Sequence, residues 1–178
     1  MAEYLSQPIV IVDYDPQWPV LYAGEQQRLL DVLGALVLRI EHIGSTAVPG
    51  LAAKPIIDIS VAVRDRAEVT PYIGALAELG YQEVLHRAGL ERRRFSKGPY
   101  NEGTHQVHVT DYGTDTWAEP ILFRDYLRAH PAVARAYADV KRAAASQHQR
   151  DITRYRDEKT SFIVQVMALA RTWQLSGT

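Results

Sequence analysis

The period of the hydrophobic pattern changes near residue 115, and that change limits the folds open to the chain. Before it, short β-like runs alternate with turns; after it, apolar residues recur at helical spacing almost to the end of the 178 residues. Mixed β and α elements followed by a helical block favour an α+β architecture, with helices packed on one mixed sheet and a helical C-terminal third. Strands are expected at 9–12, 37–43, 55–63, 81–85, 92–96 and 105–111. Helices are expected at 18–36, where Leu21, Leu29, Leu30, Leu33 and Leu36 carry the spacing, and at 116–129, 132–146 and 151–173. Asp65 and Glu68 resemble a capping arrangement that opens a further helix to Leu79, stopped by Gly80. No repeat of 20–50 residues and no low-complexity linker divides the chain, so residues 1–178 are expected to form a single domain.

Cysteine is absent, which excludes disulfides, thiolate–metal sites and a cysteine nucleophile together. No apolar run reaches the roughly 20 residues that span a bilayer, and Met1 to Pro8 lack a basic, apolar signal, so a cytoplasmic protein without membrane attachment is expected. The net charge of -1 hides an asymmetry: residues 121–178 carry 10 Lys/Arg against 5 Asp/Glu, and residues 1–120 carry 10 against 16. A basic C-terminal third suits phosphates or an acidic partner, but it equally suits solvated helix faces. Its charges are spread out, so nucleic acid is not the expected partner.

The most informative stretch runs from His42 to Ser60. Gly44 and Ser45 follow a strand, where exposed N–H groups and a hydroxyl can hold a phosphate oxygen. Asp58 then stands on strand 55–63 with Ile56, Ser60 and Ala62, opposite the apolar face of Ile57, Ile59, Val61 and Val63. A carboxylate fixed on a strand suits Mg²⁺, which takes the rest of its shell from water and substrate phosphates. A tight turn beside a solvent-facing aspartate is the plainer reading. The stretch is not a P-loop, since no Gly-Lys-Ser/Thr follows, nor a nucleophile elbow, since no glycine lies two residues before Ser45.

These residues carry a resemblance. His42-Ile43-Gly44-Ser45-Thr46-Ala47-Val48-Pro49-Gly50-Leu51, Lys54-Pro55-Ile56-Ile57-Asp58-Ile59 and Phe123-Arg124-Asp125-Tyr126-Leu127-Arg128 resemble the GrpB family. So do the pairs Tyr137/Lys141 and Tyr155/Lys159, and the similarity runs from about Ile9 to Ala170. It implies a nucleotidyltransferase-like fold, and a related domain occurs fused to dephospho-CoA kinase in some bacteria. In that superfamily the strand carries Asp-x-Asp/Glu; Gly44, Ser45 and Asp58 match, and Ser60 stands where a second carboxylate would be. A serine hydroxyl is a poor ligand for a hard cation, so the match supports phosphate binding more than two-metal nucleotidyl transfer.

Other candidates come from faces and spacing. Gln106, His108 and Thr110 share a strand face, and His108 reaches Asp58 as a base or ligand if their strands are neighbours; a hydrogen-bonded surface histidine is the alternative. Lys159 falls inside the apolar stripe Ile152, Tyr155, Phe162, Val166 and Trp173, and Lys141 follows Tyr137 by one turn. Either both lysines and Tyr155 face a ligand phosphate, or they form buried salt bridges, with Asp58 one such partner. Arg92 to Arg94 with Lys97 are an anion clamp or a solvated strand edge, and Arg124 with Arg128 an anion clamp or a surface ion pair with Asp125.

The expectation is a nucleotide-dependent transferase, or a descendant that retains nucleotide binding. Gly44, Ser45, Lys141, Tyr155 and Lys159 would hold the ligand, Asp58 would hold Mg²⁺, and His108 would accept the proton. The alternative is a non-catalytic module for a phosphorylated, coenzyme-A-related metabolite, or a scaffold for a protein partner. The sequence specifies no acceptor, base or oligomeric state.

Overall fold

The computed structural model of the protein describes residues 7–68, 70–84 and 92–177. Helix α1 (Trp18–Leu33) starts where the Asp15 carboxylate takes the Gln17 N–H at 2.8 Å and Pro19 occupies the first turn. Its buried stripe is Trp18, Glu25, Leu29 and Leu33, whereas Leu21, Leu30 and Leu36 are exposed. The leucine spacing therefore misassigned part of the buried face, and it overran the helix by a 3₁₀ turn, Gly34–Leu36. Glu25 is fully buried on α1, and the Tyr81 hydroxyl, Lys97 and Arg28 donate to it at 3.0, 2.7 and 2.9 Å. Burial opposes its ionisation, yet these donors outweigh it and hold the carboxyl below its ordinary range.

Strands β1 (Arg39–Ile43), β2 (Ile57–Val63), β3 (Tyr81–Glu83), β4 (Arg93–Lys97) and β5 (His105–Asp111) form one sheet in the order β1-β2-β5-β4-β3. Only β2 and β5 pair in parallel. The expected strand at 9–12 does not join this sheet. Val12 makes a single antiparallel bridge to Ala53, and the Ile9 N–H is taken by the Gln149 carbonyl, so the segment is used up as a strap over the helical block. The part of strand 81–85 beyond Val84 lies outside the described residues. Helix α2 (Thr70–Glu78) starts five residues later than expected, because the Asp65 carboxylate bonds the Ala67 N–H and closes a turn of its own. Gly80, at φ 83°, stops it as expected.

Period two decides what each sheet face does. Ile57, Ile59, Val61, Val63, Phe95, Val107 and Val109 meet Trp18, Leu29 and Leu33 of α1 and Tyr72 and Leu76 of α2 in the main core. Each such side chain adds about 1.5–3 kcal/mol when fully buried. The opposite face is polar: the register sets Asp58 beside Gln106, with Ser96 on the far side of Gln106, and Ser60 beside His108, with Arg94 on the far side of His108. Over that side lie α3 (Asp115–Ala129), α4 (Pro131–Gln147) and α5 (Ile152–Leu175). They share a second core of Tyr126, Leu127, Ala134, Tyr137, Ala138, Val166 and Ala170, which also takes Val48, Leu51 and Ala52 from the β1–β2 connection. Asp151 caps α5 by accepting the Arg154 N–H at 3.0 Å. Among the described residues no helix is long and apolar enough to cross a membrane.

Candidate anion-binding site

At the end of β1, Gly44 adopts φ 74°, ψ −172°, a region open in practice only to glycine. Its place in the sheet explains why. Ile43 pairs with Asp58 across the strands, and a Cβ on Gly44 would lie 2.7 Å from Asp58 Oδ2. The glycine thus makes room for the carboxylate to lie against the backbone. Gly44 itself does not line the neighbouring cleft, whereas Ser45 and Thr46 of the following 3₁₀ turn do. Gly44→Ala is expected to cost about 2 kcal/mol, from backbone strain and displacement of Asp58, and so to lower Tm by roughly 4–8 °C. An unchanged Tm in a thermal melt would contradict this account.

The turn is fastened from several sides. A 3.0 Å hydrogen bond joins His42 Nε2 and Thr46 Oγ1, and the His42 ring stacks on Tyr22 at 4.6 Å. Burial pushes His42 down to about 4, so it is neutral at physiological pH. From α3, Arg128 donates to the Ala47 carbonyl at 2.9 and 2.7 Å, and Arg124 to the His42 carbonyl at 2.8 Å and to Glu41 at 2.7 Å. These two arginines also pair with Asp125. They hold the loop, which settles their place as structural anchors. Arg93 pairs with Glu83, and Arg94 donates to the Tyr100 hydroxyl at 3.3 Å.

Between this turn, the start of β2 and α5 opens a cleft of about 140 Å³. Its wall carries four cationic side chains, Lys54, Lys141, Arg156 and Lys159, and a single carboxylate, Asp58. Lys159 Nζ lies 4.2 Å from the centre of the Tyr155 ring, and Lys54 Nζ lies 6.0 Å from it on its own approach. Lys54 also donates to Asn101 Oδ1 at 3.2 Å. Lys141, nearly fully buried, donates to the Ala52 carbonyl and sits 4.7 Å from the centre of the Tyr137 ring. Arg156 donates to the Tyr100 hydroxyl at 2.6 Å.

Burial and mutual repulsion make the ammonium groups reluctant to stay charged. Burial, with repulsion from Lys54, pushes Lys159 down to about 7 against the opposing pull of Asp58. Burial, with repulsion from Lys159, brings Lys141 to about 7. Burial, with Asp58 opposing, brings Lys54 to about 8. Asn101 stands in the same wall at φ 61°, the only positive φ outside glycine among the described residues, with its Nδ2 buried and without a partner.

His108 Nε2 lies 3.2 Å from Asp58 Oδ1, so the parallel pairing of β2 and β5 does bring these two together. His108 is nonetheless absent from the cleft wall: it meets Asp58 from behind, and its Nδ1 is buried without a partner. No ion pair joins Asp58 to Lys141 or Lys159 among the described residues.

The donor set does not fit a resident pair of divalent ions. Asp58 is the only carboxylate of the cleft wall, one oxygen faces His108 and the other lies against Gly44. Ser60 and Gln106 fill neighbouring positions with neutral groups, and no cluster of three His, Asp or Glu side chains able to hold a metal occurs among the described residues.

Lys54, Asn101 and Arg156 complete the wall although spacing did not single them out. Arg156 had a readable signal: it precedes Lys159 by three residues, hence on the same helix face. Lys54 was hidden by Pro55, which drew attention to the strand start.

A mixed sheet with the Gly-Ser turn and Asp58 at one end of its strands, packed under a helical block, is the nucleotidyltransferase type of fold. Its likeness to the structure of the GLD-2/RNP-8 complex (TM-score 0.55, 12% identity, 88% of this chain and 60% of that one) is one of fold alone. The family model described as GrpB protein matches residues 8–169, and the chain belongs to the GrpB family. The crystal structure of the conserved protein GrpB from Enterococcus faecalis superposes with a TM-score of 0.83 at 34% identity, covering 92% of this chain and 99% of that one. A UPF0157 protein of Halalkalibacterium halodurans is 40% identical over 162 residues, 91% of this chain and 82% of the relative.

Proposed function

We propose that the protein binds a nucleotide or another phosphorylated metabolite in the cleft formed by the Ser45–Ala47 turn, the start of β2 and α5. One observation carries the reading: four cationic side chains line a small cleft whose wall holds a single carboxylate. Ammonium groups withdrawn from water and crowded together are costly to keep charged, and a bound anion relieves that cost. A cleft of about 140 Å³ is smaller than the roughly 300–1,000 Å³ that encloses a whole drug-sized ligand. It suits the phosphoryl portion, with the remainder of the molecule reaching outwards.

In a transfer reaction Asp58, backed by His108, would take the proton of an acceptor hydroxyl as its oxygen bonds to phosphorus and the leaving phosphate departs. Ser60 beside Asp58 favours a second reading, a binding module without transfer. Thermal-shift titration with ATP, GTP, CTP, UTP and coenzyme A tests the binding itself. A ligand at a hundred times its Kd adds about 2.7 kcal/mol, which for this length means a Tm gain of roughly 5–10 °C. That gain is expected to vanish in Lys54→Met. No shift with any of the five compounds would remove the reading, and ³¹P NMR of the bound nucleotide with hydroxyl acceptors then separates transfer from binding.

A further inference from the structure

We infer, resting on that reading, that Lys159 is the amine nucleophile of the cleft and forms a Schiff base with the carbonyl carbon of a phosphorylated aldehyde or ketone. The chain has four lysines, and three of them, Lys54, Lys141 and Lys159, line this one cleft. What each nitrogen touches separates them. Lys97 lies outside the cleft wall and pairs with Glu25 at 2.7 Å. Lys141 is nearly fully buried and donates to the Ala52 carbonyl. Lys54 donates to Asn101 Oδ1 at 3.2 Å and feels the charges of Asp58 and Glu102. Among the described residues Lys159 makes no hydrogen bond and no ion pair, although it stands partly exposed in the cleft wall.

The Tyr155 ring fixes the direction of attack. Lys159 Nζ lies 4.2 Å from the ring centre, so the ring covers one side of the nitrogen. An aromatic face is electron-rich. In the neutral amine it attracts the N–H bonds and repels the lone pair, which therefore turns away from the ring. Lys159 lines the cleft, so the uncovered side is the one a ligand approaches.

A lysine becomes nucleophilic when it is withdrawn from water or set beside another cation. Lys159 meets both conditions. Lys54 from the β1–β2 connection, Arg156 on its own helix and Lys141 on α4 act on it as like charges, and Asp58 of β2 is the opposing one. The outcome is an amine that titrates at about 7, free in about half of the molecules at neutral pH. The step balances without a further reagent. The Nζ lone pair bonds to the carbonyl carbon, and the C=O π electrons move to oxygen. The resulting carbinolamine loses that oxygen as water, with two hydrogens from the nitrogen. The phosphate is not cleaved; it holds the ligand while the carbonyl reacts.

Treatment of the full chain with pyridoxal 5′-phosphate, then borohydride reduction and peptide mass spectrometry, tests this. At pH 7 Lys159 is expected to carry at least tenfold more label than Lys97, and ATP to suppress that label. Pyridoxal, which lacks the phosphate, is expected to label Lys159 at least tenfold less. Lys159→Arg keeps the positive charge but not the amine. With folding checked by circular dichroism, it is expected to lose the adduct and keep the thermal shift with ATP. Label spread evenly over Lys97 and Lys159, or carried by Lys54 or Lys141 in place of Lys159, overturns the assignment; a persisting ATP shift then leaves the phosphate-binding reading intact. Equal labelling by pyridoxal overturns the phosphorylated class of ligand. Absence of both a selective label and an ATP shift overturns the reading and this inference together.

Discussion

Glu25→Ala is expected to lower Tm by roughly 6–20 °C, the largest loss of stability from any single change considered. Glu25 is fully buried on α1 and accepts from three donors on β3, β4 and its own helix. Removing one partner of a buried charged network costs about 3–5 kcal/mol, because the remaining groups stay shielded from water without a partner. At roughly 2–4 °C per kcal/mol for a chain of this length, the Tm range follows. The pH dependence has a definite sign. The folded-state carboxyl titrates below its ordinary value of 4.5, so its stabilisation is complete above that value and is lost as pH falls through the folded-state value. The gap between wild type and Glu25→Gln should therefore be widest near pH 7 and shrink as pH falls below 4.5, in urea melts run across that range. A gap that widened towards acid would contradict the role given to the network.

Lys159→Met is expected to move stability and binding in opposite directions. Methionine fills the volume of the lysine stem and removes an ammonium group that burial and Lys54 disfavour. Allowing for solvent screening in an open cleft, the ligand-free protein should gain roughly 2 kcal/mol, or roughly 4–8 °C in Tm at pH 7. Again the sign can be checked. Lys159 titrates at about 7 in the folded chain and at its ordinary 10.5 when unfolded. Its destabilising effect is full below pH 7 and fades as pH rises towards 10.5, so variant and wild type should converge in alkali. The same variant should lose tenfold or more in phosphate affinity, the worth of one charge-assisted contact. A lysine kept for structure would show the reverse pattern, with lower stability and unchanged binding.

The contrast between Glu25 and Lys159 also shows what was readable beforehand. Lys159 was legible because a charge interrupting an apolar stripe is a local violation of a period, visible in one helix. Glu25 breaks α1 in the same way, but the many leucines on the exposed side of that helix drew the stripe elsewhere. The alternation in residues 55–63 placed Asp58 on the right face, and the three C-terminal helices stood close to their expected bounds, since both signals are short-range. Segment 9–12 had the composition of a strand and became a strap, because Ala53 and Gln149 supply its hydrogen bonds. The meeting of Lys54, Asn101 and Arg156 at one cleft was not legible, because it depends on how the helical block docks over the polar sheet face.

Two arginines of the basic C-terminal third anchor the turn, and three more of its cations enter the cleft wall. The charge asymmetry therefore reflects the site as well as solvated faces.

The lone parallel pairing in the sheet governs the order in which the molecule can be assembled. Its neighbours β3, β4 and β5 can zip as hairpins from nearby residues, but Asp58 and His108 lie 50 residues apart. The sheet centre closes only after that long excursion has been made, a slow step for contacts of high sequence separation. Tyr155, Arg156 and Lys159 arrive later still during synthesis, from a helix beginning at Ile152. The cleft is thus the product of late contacts, and a phosphate-bearing ligand would recognise finished molecules and ignore nascent ones.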